Sequence, residues 1–112
     1  MRRRTPALAG LVYACLILAA APPAGAARAP AGVTVTIRNF DFSPMEVTAR
    51  AGASVTWTNL DPEPHTVTSD TGLFRSGALD QGESFTFWFK KRGVYHYLCL
   101  IHPKMMGSVT VR

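Results

Sequence analysis

GVYHYLCLIHPKMMG, residues 93–107, changes character at its midpoint. In its first half Val94, His96 and Leu98 alternate with Tyr95, Tyr97 and Cys99. That is the period of two imposed by a strand whose successive side chains face opposite sides of a sheet. The tyrosines mark the core face, so Cys99 points inward from the strand's last position, and His96 and Leu98 take the other side. Beyond Cys99 the alternation stops and Pro103 and Gly107 punctuate a loop. His102 and Met105 follow Cys99 at equal steps of three. A thiol, an imidazole and a thioether share almost nothing as packing units, so their proximity calls for a chemical reason.

Working outward, the same alternation recurs. Val33 to Ile37, Met45 to Arg50 and Ser54 to Asn59 read as strands, as do His65 to Thr68, Glu83 to Phe89 and Ser108 to Val111. Asp61-Pro62-Glu63-Pro64 is a turn, Asp70 to Gly82 a loop, and Lys90-Lys91-Arg92-Gly93 a solvated hairpin turn at the end of the molecule away from the loop that follows Cys99. Phe85, Phe87 and Phe89 fall on one face and are expected in the core; Trp88 falls on the other, and His96 at the surface. No segment after the first 26 residues has a helical period. The pattern predicts an all-β Greek-key sandwich of seven to eight short strands.

The chain begins with a different composition. Arg2-Arg3-Arg4, an apolar run from Leu8 to Ala21, and Ala24-Gly25-Ala26 follow the order of an export leader. The run is shorter than the roughly 20 apolar residues of a spanning helix. Residues 1–26 are therefore expected to be a cleaved signal peptide, and residues 27–112 one domain of a periplasmic or secreted protein without a membrane span. Of 12 basic and 7 acidic residues the leader holds three basic ones, which leaves nine against seven, a net charge of +2 in place of +5. So mild a charge removes the argument for nucleic-acid binding. The leader also takes Cys15, so Cys99 has no disulfide partner within the chain. A domain this small usually needs a disulfide or a metal, and the metal is what remains.

A thiolate, imidazole nitrogens and a weak thioether together suit copper, above all the trigonal arrangement of two His and one Cys with a distant Met. Of the two other histidines, His65 stands at a strand end after a Pro-rich turn, whereas His96 faces away from Cys99. The expected ligands are His65, Cys99, His102 and Met105. Zinc would prefer four strong donors. A thiol protease would need a third group holding Cys and His.

Cys-x-x-His-x-x-Met with Pro103 after the histidine, Pro64-His65-Thr66-Val67 upstream, and Gly93-Val94-Tyr95-His96-Tyr97 before the cysteine resemble the cupredoxins. Within them the short ligand loop is most similar to that of the amicyanin group. Phe42-Ser43-Pro44, Gly52 to Trp57, Ser76-Gly77 and Gly107-Ser108-Val109 extend the likeness over the chain after residue 26. The resemblance implies one type 1 (blue) copper ion, a monomer that carries single electrons and is not an enzyme, and a transient redox partner such as a cytochrome c or a dehydrogenase or oxidase. It implies that His65 lies deep, that His102 sits at a rim of Leu100, Ile101, Pro103 and Met106, and that Thr66 braces the cysteine segment. The rival role for the same ligands is copper binding or delivery without electron transfer.

Overall fold

Alternating β-branched, hydroxyl and aromatic residues carry most of the chain into strands, because such side chains pack well on a pleated, half-buried surface. The computed structural model describes Arg3, Ala7, residues 9–17 and residues 30–112. The cleavage position expected after Ala26 lies outside these residues. Eight strands are formed among them: β1 (Val33–Arg38), β2 (Asp41–Ser43), β3 (Glu46–Ala49), β4 (Ser54–Asn59), β5 (Thr68–Ser69), β6 (Ser84–Trp88), β7 (Gly93–Leu98) and β8 (Met106–Val111). One sheet has the order β2-β1-β4-β6 and the other β3-β8-β7-β5. The all-β sandwich expected from the alternation is the observed fold. No helix among the described residues is long and apolar enough to cross a membrane.

The chain changes sheet at every connection from β2 to β7. Only β1–β2 and β7–β8 are consecutive antiparallel neighbours. The two parallel pairs, β1–β4 and β3–β8, follow from this winding, since strands reached by crossing over the top return in the same direction. Lys90 to Gly93 is therefore not the hairpin turn that the sequence predicts. It is exposed, but it joins β6 in one sheet to β7 in the other.

Between the sheets Val35, Ile37, Val55, Trp57, Tyr97, Val109 and Val111 are buried. Trp57 sits among aromatic rings, with Tyr97, Phe74 and Phe85 centred 5.3, 5.7 and 5.9 Å away. Phe89 is fully buried just beyond β6. Phe85 and Phe87 pack on the core but stay partly exposed, because β6 is an edge strand. Trp88 points outward and is 61% exposed.

Two strands differ from the sequence pattern. β2 has only three residues with Phe42 alone turned inward, too short to show a period. The strand expected over His65 to Thr68 shrinks to Thr68–Ser69, for a reason that lies in the site described below.

Tyr97 reaches into the core past Gly107, its partner across β7 and β8. A Cβ at Gly107 would overlap the Tyr97 phenol and lie 2.9 Å from the Met45 carbonyl oxygen. Burial pushes the Tyr97 phenol above its ordinary pKa, with the Trp57 indole pulling weakly the other way. Yet neither the Tyr97 hydroxyl nor Trp57 Nε1 has a hydrogen-bond partner of good geometry. Gly107→Ala should therefore cost about 1–3 kcal/mol by overpacking. Tyr97→Phe, which deletes only an unpartnered hydroxyl, should cost less than about 1 kcal/mol or stabilise the fold. Urea denaturation of the two variants checks both; equal losses would contradict the assignment of Gly107 to close approach.

Candidate metal centre

The β7–β8 loop is closed by its own backbone. The Cys99 N–H donates to the Met105 carbonyl at 3.1 Å, and the Met105 N–H to the His102 carbonyl at 2.9 Å. These bonds hold Cys99, His102 and Met105 on one tight turn of chain. His65 arrives from the segment before β5 and forms an isolated bridge with Leu79.

The structure brings three of the four expected donor residues into mutual contact distance. His65 Nδ1 and His102 Nδ1 lie 3.9 and 3.8 Å from Cys99 Sγ, and 3.2 Å from each other. His65 and Cys99 are fully buried, His102 partly. Met105 is buried on the same loop, at 4% exposure, whereas Met106 is 59% exposed. His96 is exposed on the outer face and takes no part, as its strand parity requires.

The surroundings orient these groups. Cys99 Sγ accepts the Thr66 N–H at 3.3 Å, and Thr66 Oγ1 accepts the Leu100 N–H at 2.8 Å. Thr66 thus ties the histidine segment to the cysteine loop. The Val67 N–H donates to Ser76 Oγ at 2.7 Å. The Thr66 N–H, a donor that would have extended β5, is directed to the thiol, which accounts for the shortened strand.

His65 Nε2 lies 2.8 Å from Asp61 Oδ2. Asp61 also accepts the N–H of Asn39 at 2.7 Å and of Phe40 at 2.9 Å. Burial raises its carboxyl pKa, but the Phe40 and Asn39 amides and the His65 ring together outweigh it, and the net shift is downward. An ionised carboxylate can only accept, so His65 carries its hydrogen on Nε2 and presents a lone pair at Nδ1. Asn39 and Phe40 both have positive φ, 53° and 59°, an uncommon conformation for residues other than glycine. The two bonds to Asp61 hold that turn, and the turn sets the Phe40 ring edge-on to both imidazoles, 5.2 Å from His65 and 4.9 Å from His102.

Asn59 completes the frame. Its Oδ1 accepts the Asp61 N–H, and its Nδ2 donates to the Glu63 and Leu79 carbonyls. Asp61, Asn59 and Phe40 carry no motif. The signal for Asp61 is a carboxylate four residues before a candidate ligand histidine, within a turn that otherwise explains it as a turn former.

Two imidazole Nδ1 atoms 3.2 Å apart, one of them a lone pair, need a shared proton or a metal ion between them. An ion bound at about 2.0–2.3 Å by three donors in a plane separates them by about 3.5–3.8 Å. The observed separations, 3.2 Å between the nitrogens and 3.8 and 3.9 Å to the sulfur, bracket that figure. Softness decides the metal: thiolate plus imidazole, with a thioether on the same loop, fits one type 1 copper.

The comparisons agree with the geometry. A family model described as a cupredoxin-like domain matches residues 8–111. The chain belongs to this cupredoxin-like family. Among solved structures, a purple cupredoxin from Nitrosopumilus maritimus is 34% identical with a TM-score of 0.67, covering 71% of this chain and 99% of its own. Amicyanin from Paracoccus versutus is 32% identical with a TM-score of 0.69, covering 72% of this chain and 81% of its own. A copper-containing nitrite reductase from Thermus scotoductus is 28% identical with a TM-score of 0.68, but only 22% of its chain is covered. No curated protein matches in sequence. The resemblance to cupredoxins, and to amicyanin among them, is thus upheld.

Asp61→Ala should remove the acceptor of three donors and cost the metal-free protein about 3 kcal/mol, since buried donors are left unpaired. It should also weaken metal binding roughly 10- to 100-fold, because His65 loses the partner that fixes its tautomer. Denaturation and copper competition titrations measure the two effects; unchanged affinity would show that Asp61 is only a structural tie.

Proposed function

We propose that the protein is an exported blue copper protein that carries single electrons, with His65, Cys99, His102 and Met105 as ligands. The observation that supports this most is a preformed, buried set of three donors, one of whose rings alone approaches the surface. When bound, copper supplies one-electron Cu(I)/Cu(II) chemistry.

The chain's own groups account for the rest. Cys99 offers the thiolate, and the Thr66 N–H offsets part of its charge. Asp61 and the backbone frame hold His65 in one tautomer and one position. A site on a β-sandwich closed by hydrogen bonds moves little on a change of charge, which keeps the reorganisation accompanying electron transfer small. Phe40 covers both imidazoles and limits water. Leu100 and Ile101 are exposed apolar side chains on the loop of His102, and Met106 is exposed where β8 begins. A redox protein docking there, of the cytochrome c or dehydrogenase or oxidase type, would meet the His102 ring edge first. Weak redox encounters need less than about 1,200 Å² of buried surface, which a rim of this kind can supply to a monomer. Four protein ligands leave no position for a substrate, in keeping with a carrier and not an enzyme. Residues 1–26 are proposed as the cleaved leader that delivers the protein to the periplasm or the exterior; a mature mass beginning at Ala27 checks this.

Cys99→Ser should abolish the intense visible thiolate-to-Cu(II) band and most of the copper-dependent rise in Tm. Ligand binding to the folded state alone contributes about 4 kcal/mol at a thousandfold excess over Kd. A Ser variant retaining both would remove Cys99 from the site. Among the methionines, burial separates neighbours: Met105→Leu should raise the reduction potential and perturb the spectrum, since a lost thioether disfavours Cu(II). Met106→Leu should leave potential and spectrum nearly unchanged. Cyclic voltammetry of both variants reads the difference, and the reverse pattern would make Met106 the ligand. A reversible wave also separates an electron carrier from a delivery protein.

A further inference from the structure

The net charge after residue 26 is small, but the charges are unevenly placed. Arg50, Lys90, Lys91, Arg92 and Arg112 stand at the end of the sandwich away from the metal centre, and all are exposed. Backbone bonds gather them. The Gly52 N–H donates to the Phe89 carbonyl at 2.6 Å, which joins the β3–β4 turn to the β6–β7 connection. The Ala51 N–H donates to the Arg112 carbonyl at 2.8 Å, and the Arg112 N–H to the Ala49 carbonyl at 2.9 Å. Val111 is partnered by Ala49 on one side and Gly93 on the other. One residue further along, that register sets Arg50 and Arg92 on either side of Arg112, on the outer face. The three arginines line one groove of about 500 Å³ with Thr48 and Ala49 and no carboxylate side chain.

Like charges on neighbouring strands repel, and among the described residues none of the five bases makes an ion pair. All seven acidic residues lie elsewhere. Asp61 faces His65, Glu63, Asp80 and Glu83 stand on segments bonded to Asn59 near it, and Asp41 is across from Arg38. Glu46 and Asp70 are level with Ser108 and His96, toward the middle of the sheet. The basic end therefore asks for an anionic surface from outside the chain.

Two further observations favour a membrane as that surface. Trp88, 61% exposed, and Leu73, 52% exposed, line a groove of about 440 Å³ together with Lys90 and Lys91. Indole rings and lysines side by side suit the headgroup level of a bilayer. The chain also enters the domain at this end, where Pro30 lies beside Gly52 and Val33 of β1 is level with Val55 of β4. The apolar run from Leu8 to Ala21 thus precedes the domain on its basic side.

We propose that this end is a docking face for a bilayer surface that carries anionic phospholipid headgroups. The five bases meet the phosphates, and Trp88 and Leu73 settle between headgroups. β7 runs six residues from Gly93 to Leu98, which puts the face roughly 20 Å from Cys99. The rim around His102 then points away from the membrane and stays open to a partner. Attachment is weak and reversible, since each base near the surface strengthens it only about fivefold and salt screens the effect. It requires neither copper nor electron transfer.

The test is co-sedimentation of the copper-loaded protein with large vesicles at low ionic strength. Vesicles of equimolar phosphatidylglycerol and phosphatidylcholine should retain it, pure phosphatidylcholine vesicles should not, and high salt should release it. Lys91→Gln should weaken retention roughly fivefold, and Lys90→Gln, Lys91→Gln and Arg92→Gln together roughly 100-fold, with unchanged circular dichroism. Arg38→Gln removes the same charge at the opposite end and should change retention little. Three results would each overturn the proposal: equal retention by neutral vesicles, equal losses in the Lys91 and Arg38 variants, or binding to immobilised polyglutamate with none to the vesicles. The last would assign the face to an acidic protein.

Discussion

The Asp61 carboxylate is the point on which the metal centre and one end of the sandwich both depend. It accepts two backbone N–H groups from the β1–β2 turn and faces the His65 ring. Two segments more than 20 residues apart in sequence meet at two oxygen atoms. A buried acceptor with three donors is worth more than the same bonds at the surface, because each unpaired partner would carry its own desolvation cost. The same carboxylate also selects which histidine nitrogen faces the thiol. Fold and chemistry are therefore coupled through one side chain.

The coupling extends to the strands. Regular pairing of a longer β5 would turn the Thr66 N–H toward β7, but it goes to Cys99 Sγ. The sheet gives up part of a strand, and the thiol gains a fixed donor. Thr66 Oγ1 then holds Leu100 from the opposite side. The donors are in place through the protein's own hydrogen bonds, which is the condition for a metal site that stays rigid when the ion changes charge. Close packing serves the same end below the site, where Tyr97 fills the space that Gly107 leaves open.

Family membership and site geometry bear on different questions. The match over residues 8–111 and the likeness to a purple cupredoxin and to amicyanin establish the family. What this chain adds is visible in its own residues: Asp61 and Phe40, which carry no motif, frame the His65 imidazole, and Phe40 meets His102 as well.

The sequence by itself determined the sandwich, because strands with one buried face must alternate, and it determined the donor loop, because three unlike donors at equal spacing have no packing explanation. It also separated His65 from His96, through strand parity. Contacts between distant segments were beyond its reach. Asp61 reads as a turn former, and nothing local shows that the turn of Asn39 and Phe40 lies against it. The connection from Lys90 to Gly93 has the composition of a hairpin, and only the assignment of β6 and β7 to different sheets makes it a crossing. Periodicity tells which side of a strand a residue occupies. It does not tell which strand lies opposite, since that is set by the packing of two sheets and by where the buried polar groups find their partners.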